Sequence, residues 1–583
     1  MIFVYILGIS CHYHDAAAAL LKDGVIVAAA EEERFTRKKH DTSFPINAIN
    51  YCMKEAGITS DRISYVGFYE KPMLKFERLL NQHFNAFPKS FPVFLRSMPS
   101  WLTEKLKVPS TVRKKLKYDG EVLFVQHHVS HAASAFLASP FRKAAILTVD
   151  GVGEWATTTM GVGEENRIKL LKEIHFPHSI GLLYSTVTAY LGFKVNNDEY
   201  KVMGLAAYGE PIYYDKFKKL LEIKEDGSYK LDMSYFVYHY KEAMPSKKFV
   251  EEFGPARKPE SKMEKRYEDI AASVQKITEE AVIKMLNHLH DVTKCDNVCL
   301  AGGVALNSVA NGKILCNSPF KSVYIQPAAS DAGSAAGVAL YIYNSILGKE
   351  RRYVMDHAYL GPSFSNEEIR GYLENNGISF TEFAGDKDLV KKTAELIHNN
   401  KVVGWFQGRM EWGPRALGSR SILSNPCNPQ MKGILNSKVK HREMFRPFAP
   451  AVAEENAKEY FETDDPVPVP ADFMLMVYPI NKEKRHMIPA VVHEDGTGRL
   501  QTVRKWQNPL YHSAIKEFEK LSGVPIIINT SFNIRGEPIV CTPQEAYRCM
   551  MGTGIDYLVM GNYLIAREDN PKDMWNSEKL ARD

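Results

Sequence analysis

Residues 141–171 read FRKAAILTVDGVGEWATTTMGVGEENRIKLL, and their pattern decides the fold. The apolar run from Ala144 to Val149 stops at Asp150, which predicts a buried strand ending in a carboxylate. A glycine-containing turn follows, then a strand of mixed polar and apolar residues, then another turn. The start of the chain repeats this plan. YILGIS (residues 5–10) is an apolar strand, and AAAALLKDGVIVAAA (residues 16–30) is a hairpin turned by Asp23-Gly24. Two strand–acidic turn–strand modules in one chain predict an internal duplication.

A third segment extends the pattern. CDNVCLAGGVALNSVANGKIL (residues 295–315) runs from a buried strand through Gly302-Gly303 into a helix. Glycines at such a turn let backbone amides approach a nucleotide closely. Before it, Ile270, Val274, Ile277, Ala281, Met285 and Leu289 share one face of an expected amphipathic helix. Duplicated modules of this kind point to the actin/hexokinase/Hsp70-like ATPase fold, whose halves clasp a nucleotide between their turns. Residues 72–118 are rich in Pro, Phe and Lys and read as a lobe or lid, and residues 213–265 as an exposed insertion. GKERRYVMDHAYLGPS, around 344–362, reads as a linker. A second unit then follows, with KVVGWFQG a strand and turn and VPIIINTSFN a buried strand.

At 583 residues and 66.0 kDa the chain has room for about four compact units, or fewer large ones. Its 45% hydrophobic and 25% charged residues exclude disorder, collagen and coiled coil as the main theme. A net charge of +5 is too slight over this length to indicate a nucleic-acid binder. No apolar stretch reaches the ~18 residues that span a bilayer. The opening MIFVYILGIS lacks a basic leader and runs straight into CHYHD, so it reads as a buried strand rather than a secretory signal. Eight cysteines without framework spacing read as reduced cytosolic thiols.

Three constellations carry chemistry. In QHHVSHAASAF, His127 and His131 are four apart and project from one helix face at metal-ligand spacing, whereas His128 points elsewhere and reads as structural. Asp150 and Asp331, which opens the small-residue helix of PAASDAGSAAG, can complete a borderline-hard site suited to Fe(II), Mn or Zn. Second, residues 401–448 hold nine basic residues against Glu411 and Glu443, a net of +7, so the rest of the chain is −2. The arginines alternate with Gly, Pro and aromatics, which places them on ordered loops suited to a small anion, with an RNA backbone as the lesser choice. Third, His14-Asp15 follows the first strand, either as a turn cap or as a general base at a cleft mouth.

The motifs CHYHDAAAAL, EEERFTRKKHD, HHVSHAASAF, TVDGVGE, YKVMGLAAYGEP, LAGGVALNSVANGK, SDAGSAAG, GRMEWGPRALGSRSIL, FRPFAP, VHEDGTGRLQTV and NTSFNIRGEPIV occur in this order. Together they resemble the NodU/CmcH family of O-carbamoyltransferases over essentially the whole chain. The resemblance implies an α/β protein with an N-terminal actin/Hsp70-like (duplicated ribonuclease-H-like) ATPase domain over residues 1–350. It also implies a C-terminal YrdC-like α/β domain over 362–583. The second domain would form carbamoyl adenylate from carbamoyl phosphate and ATP, the ATP carrying Mg. The intermediate would pass through the interior to the first domain, where a hydroxyl of a small-molecule natural product attacks it and AMP leaves. His127, His131, Asp150 and Asp331 would hold the metal, Fe(II) in the first place with Mn or Zn as alternatives. His14 matches the catalytic base and Lys39 a contact to the carbamoyl or phosphate group. Lys201, Gly204, Gly302, Gly303 and Asn307 match nucleotide-contacting loops. Arg415, Arg446, Arg499, Asn533 and Arg535 match the carbamoyl-phosphate site.

The expected setting is cytoplasmic, as monomer or homodimer, with no nucleic-acid and no membrane partner. Two other readings compete. A tRNA threonylcarbamoyl-type modification enzyme would share the ATPase-like fold, but the modest net charge argues against it. An ATP-gated scaffold of the actin/Hsp70 type would leave the arginines and the His/Asp quartet unexplained.

Overall fold

The computed structural model describes residues 3–571, which fall into two compact units. The first runs up to Glu32 and resumes over His40–Met355; the second joins Glu33–Lys39 to the chain from Asp356 onward. Met1, Ile2 and residues 572–583, which the two expected domains include, lie outside the described residues.

The first unit contains two five-stranded sheets of the same plan. In one, β1 (Tyr5–Ser10), β2 (Ala17–Lys22) and β3 (Val25–Glu31) form an antiparallel meander, and β4 (Tyr65–Phe68) and β5 (Glu121–Phe124) add in parallel, giving the order β3-β2-β1-β4-β5. The Asp23-Gly24 turn is as expected, with positive φ at both residues (47° and 90°), which suits a two-residue hairpin. In the other sheet the meander is β6 (Lys143–Val149), β7 (Ala156–Glu164) and β8 (Arg167–His175). Between β8 and the rest of this sheet the chain inserts a small hairpin of β9 (Leu221–Ile223) and β10 (Tyr229–Leu231). The parallel strands of the second sheet are β11 (Asn297–Ala301) and β12 (Ser322–Ile325), giving β12-β11-β6-β7-β8. Both sheets therefore show the 3-2-1-4-5 order of a ribonuclease-H-like module, and the duplication read from the sequence is present in the fold.

Helices follow the strands as their patterns dictate. Helix Lys265–Thr293 buries Ile270, Val274, Ile277, Ala281, Met285 and Leu289, the face expected from the spacing. The helix Asp331–Tyr341 is built of small residues because it must pass close to helix His127–Phe136. A Cβ on Gly337 would lie 2.0 Å from the Ser130 carbonyl oxygen, so only glycine permits this crossing. Residues 213–265 depart from the expected exposed insertion. Phe217, Phe249 and Phe253 are buried and their rings meet at 4.5–4.8 Å, so the aromatics form a satellite core. Residues 72–118 form three helices, Pro72–Ala86, Phe91–Thr103 and Val108–Leu116.

The second unit is α/β, on a nine-stranded mixed sheet. Its strands are β13 (Thr381–Glu382), β14 (Val403–Phe406), β15 (Arg420–Ser424), β16 (Ala449–Ala453), β17 (Met476–Pro479), β18 (Thr497–Val503), β19 (Ile526–Ser531), β20 (Tyr557–Met560) and β21 (Tyr563–Ala566). The order is β13-β21-β20-β14-β15-β19-β16-β18-β17. The run Ile526–Ile528 is fully buried because β19 is central, paired to β15 and β16. Glu33–Lys39 joins this unit through specific bonds. Phe35 packs on Met410, Ala416, Ile539 and Cys541, Arg34 Nη2 donates to Gly413 O at 2.9 Å, and Arg37 donates to Pro538 O and Ile539 O at 2.7 Å. All eight cysteines are free thiols.

Candidate functional site

The chain places His127, His131, Asp150 and Asp331 together from three elements. His127 and His131 lie one turn apart on helix His127–Phe136; Asp150 follows β6; Asp331 is the first residue of helix Asp331–Tyr341. One ligating atom from each lies within 4.8 Å of all the others. His127 Nε2 is 2.9 Å from Asp150 Oδ2 and 3.7 Å from Asp331 Oδ1. His131 Nε2 is 3.6 and 3.5 Å from the same oxygens, too far for a good hydrogen bond. Both histidines are fully buried.

Burial disfavours charge on His131, but the Asp150 and Asp331 carboxylates outweigh it and raise its pKa to about 9. Burial likewise opposes the Asp150 carboxylate, and the two imidazoles overcome it and hold its pKa well below the usual value. Three buried polar atoms of the quartet, His127 Nδ1, His131 Nε2 and Asp331 Oδ2, have no hydrogen-bond partner. Buried polar atoms are rarely left so, and a divalent cation is what this donor set fits. Outer contacts orient the ligands. Ser334 Oγ lies 3.2 Å from His131 Nδ1, Gly303 N donates to Asp150 Oδ1 at 2.9 Å, and Glu154 accepts from His127 N at 2.9 Å. His128 faces away, bonded to Thr148 Oγ1 at 2.6 Å and Ala156 O at 2.9 Å.

His14 sits in a network that its sequence context only partly announced. Its Nδ1 is 2.8 Å from Asp15 Oδ2 and its Nε2 2.7 Å from Asn196 O. A carbonyl only accepts, so Nε2 carries a proton. Burial lowers the pKa of His14, yet Asp15 and the Asn196 carbonyl prevail and raise it to about 10. His14 is therefore an imidazolium at neutral pH in this arrangement. Asp15 also holds His40 Nδ1 at 2.7 Å, and His40 Nε2 meets Asn197 Oδ1 at 2.8 Å. Ser330, next to Asp331, donates to Asp15 Oδ2 at 3.0 Å. The positive φ of His12, Asp15 and His40 (75°, 40° and 54°) shows that the backbone is bent to build this cluster. The sequence pairs Asp15 with His14 without giving it a role and does not single out His40, although both stand in the motifs CHYHDAAAAL and EEERFTRKKHD.

The expected nucleotide contacts are placed unevenly. Gly302 has φ +92° and a Cβ there would lie 2.3 Å from Val149 O, so this glycine also serves the turn that positions Asp150. Asn307 bonds Gln275 and caps Ala310 N at 3.0 Å. Lys201, on helix Glu199–Leu205 with Gly204, is buried and paired with Asp198 at 3.1 Å.

In the second unit the charge run divides by role. Arg420 is fully buried and donates to Gln407 O at 2.8 Å and Pro362 O at 2.9 Å, and Arg409 donates to Leu360 O at 2.7 Å. Both are structural. Glu411 is buried too, accepting from Leu417 N and Ser419 N at 2.7 Å, which folds the loop that carries Arg415. Arg499, on β18, is pushed well below the ordinary arginine range by burial first and then by Arg415 and Arg446. Arg446 lies 3.5 Å from Glu443. Asn533 Oδ1 accepts from Lys440 Nζ at 2.8 Å, and Lys440 is depressed well below the lysine range by burial, then by Arg442, with Arg446 and Lys39 contributing. Lys39 thus belongs to the second unit, among its cations. Arg535 is half-buried in the same NTSFNIRGEP loop. Lys440 and His493 are additions. His493 lies on the VHEDGTGR turn, and burial, with Arg499 nearby, lowers it to about 4. A cavity of about 260 Å³ lined by Phe364, Asn366, Asp386, Phe406, Gln407 and Leu510 includes none of the expected arginines.

The fold and the two clusters define a two-unit α/β protein pairing an ATPase-like domain with a second α/β domain. Comparison supplies the family. Residues 5–340 match the family model for the carbamoyltransferase N-terminus and residues 394–567 that for the carbamoyltransferase C-terminus. An uncharacterized protein of Synechocystis sp. is 48% identical over 97% of both chains. Nodulation protein NolNO of Sinorhizobium fredii is 36% identical over 97% of this chain and 81% of its own. Nodulation protein U of Rhizobium tropici is 28% identical over 95% of each chain. Among solved structures, HypF of T. kodakarensis aligns at TM-score 0.32 and 15% identity, over 59% of this chain and 48% of that one. The ROK hexokinase of Thermus thermophilus aligns at 0.27 and 13%, over 58% and 98%. The fold assignment above rests on strand order, independently of these structural likenesses. This chain belongs to the carbamoyltransferase family, which makes it a transferase of carbamoyl groups and sets aside the scaffold reading.

Proposed function

We propose that the chain is an O-carbamoyltransferase using carbamoyl phosphate and ATP, with a hydroxyl of a small-molecule natural product as acceptor. The observation that carries this reading is the gathering of Arg415 and Arg446 around the buried Arg499, a local excess of positive charge beside the carboxylate of Glu443 that would draw a small anion. Carbamoyl phosphate is a compact dianion of the right kind, and planar guanidiniums bind its oxygens in pairs. Asn533, Arg535, Lys440 and Lys39 would complete this site. Activation balances as follows. Water releases carbamate and phosphate from carbamoyl phosphate, a carbamate oxygen attacks the α-phosphorus of ATP, and pyrophosphate leaves carbamoyl adenylate.

In the first unit the acceptor oxygen would attack the carbamoyl carbon, AMP would leave, and the hydroxyl proton must be taken up. Lys201, Gly204, Gly302, Gly303 and Asn307 would border the nucleotide. His127, His131, Asp150 and Asp331 would hold a divalent cation, Fe(II) by first choice with Mn or Zn as alternatives. When bound, such an ion supplies positive charge to offset that developing on a departing phosphate. His14 would accept the hydroxyl proton only after giving up the one it holds towards Asn196; until then it is a donor, suited to the carbamoyl oxygen.

Purified, metal-loaded protein should release AMP and pyrophosphate when given both carbamoyl phosphate and ATP, with candidate alcohols present, and a carbamate should appear on the acceptor. No AMP under those conditions would overturn the reading.

A further inference from the structure

The basic lobe of residues 71–118 has a second face that its packing leaves uncovered. Its inner side is ordinary core. Trp101 is buried against Phe76 at 5.6 Å, Phe94 meets His83 edge-on at 5.0 Å, and Val108, Val112 and Leu116 are buried. Its outer side is not ordinary surface. Of seventeen exposed large hydrophobic residues among the described residues, six fall here: Met73, Phe84, Phe87, Phe91, Leu95 and Leu102. Phe84 and Phe87 are 77% and 68% exposed. On helix Phe91–Thr103, Phe91, Leu95 and Leu102 are exposed and the half-buried Met98 falls between them, at spacings of four, three and four along one side of the helix. Scattered exposed hydrophobics are normal, but a contiguous ridge marks an interaction surface.

Charge selects the partner. Residues 71–118 carry eleven Lys and Arg against Glu77 and Glu104; Lys75 and Arg78 are buried, and seven of the eleven are exposed, a net of +5 with the two exposed glutamates. Arg113, Lys114, Lys115 and Lys117 are all exposed around the last turn of Val108–Leu116. We propose that this lobe docks on an anionic lipid surface, with the aromatic ridge entering the headgroup layer and the lysines and arginines facing the lipid charges. Basic residues flanking an amphipathic aromatic helix give this kind of in-plane binding, each cation being worth roughly fivefold in affinity. A second copy of the chain is the poorer occupant, because two such lobes would bring like charges together. No helix among the described residues is long and apolar enough to cross a membrane, so the attachment is peripheral. This departs from the expectation of no membrane partner, and it does not depend on the proposed chemistry.

The test is co-sedimentation of the full chain with vesicles of phosphatidylcholine alone and of phosphatidylcholine with phosphatidylglycerol. The chain should bind the anionic vesicles and barely the neutral ones, less so as salt rises. Phe84→Ser with Phe87→Ser and Phe91→Ser should weaken binding by roughly tenfold or more at an unchanged melting temperature. Arg113→Glu with Lys114→Glu and Lys117→Glu should do the same, which keeps the test alive if the aromatic variant folds poorly. Hydrogen exchange should slow over residues 84–102 on vesicle addition. Absent binding to anionic vesicles, or binding indifferent to both variants, would overturn the proposal. So would a dimer in sedimentation that the aromatic substitutions dissolve without any vesicle binding.

Discussion

The quartet in the first unit and the arginine group in the second handle buried charge in opposite ways. Around His131, two carboxylates face two imidazoles, so that His131 is raised to about 9 and Asp150 is driven down. Around Arg499 the neighbours repel: Arg415 and Arg446 add to burial in lowering it, and Lys440 is lowered by Arg442 and Arg446. The first arrangement pairs opposite charges, yet leaves His131 Nε2 and Asp331 Oδ2 without a hydrogen-bond partner, the places a cation would fill. The second gathers like charges around a buried guanidinium, with Glu443 beside Arg446, and by the proposed reading would gain when an anion arrives. Removing a residue should therefore cost stability in the first site and relieve it in the second, while both lose ligand.

The largest effect is expected in the quartet. His131→Ala or Asp331→Asn should abolish stoichiometric metal, with affinity falling by at least about 100-fold. The unmatched buried partner should also lower stability by about 3 kcal/mol. Metal analysis and thermal melts check this, and carbamoyl-phosphate binding should survive, because the residues proposed for it are in the other unit. Loss of both together would merge two sites that the contrast keeps apart.

Arg499→Met sharpens the contrast from the other side. Binding of carbamoyl phosphate should weaken by roughly 10- to 100-fold, as calorimetry would read. The melting temperature of the ligand-free protein should hold or rise, because a desolvated charge among like charges has gone. A marked fall in stability would mean that the guanidinium is bonded structurally, as Arg420 is.

Much of this was legible because the relevant signals are local. Strand–turn–strand periodicity gave the duplicated module, and His-x3-His spacing is a property of one helix. The identity of Asp331 as a partner was legible through the small-residue helix, whose glycine lets the crossing close. Other features depend on which side of a loop faces inward. Nothing local separates Arg409 and Arg420, which bond backbone carbonyls, from Arg415 and Arg499. Likewise, His40 reads as one more charge in RKKHD, and only the fold brings it 2.7 Å from Asp15. The aromatics of residues 213–265 lacked periodicity because they pack as a cluster rather than along one element.

A smaller effect is expected at His14. Its pKa of about 10 is raised over the usual ~6.5, so its ion pair stabilises the fold fully below about 6.5 and loses that contribution as pH rises through about 10. If the imidazole must lose its proton to act as a base, transfer should speed up along an alkaline limb. Asp15→Asn removes the carboxylate that raises the pKa, so the limb should move down towards the ordinary histidine range. A pH–rate profile identical in the two proteins would remove His14 from the base role.

The smallest effect joins the two clusters of the first unit. Ser330 Oγ donates to Asp15 Oδ2 at 3.0 Å, and the next residue is Asp331. Ser330→Ala should cost about 0.5–1.5 kcal/mol in a melt. Without that donor the Asp15 carboxylate becomes more basic and grips the His14 proton harder, so the limb should move up, opposite in sign to Asp15→Asn. Metal affinity should fall by no more than about tenfold, since Asp331 keeps its own place at the helix start. An upward limb with unchanged metal affinity would show that Ser330 serves the imidazole network alone; a matching loss of metal would show that the serine ties the two clusters into one unit.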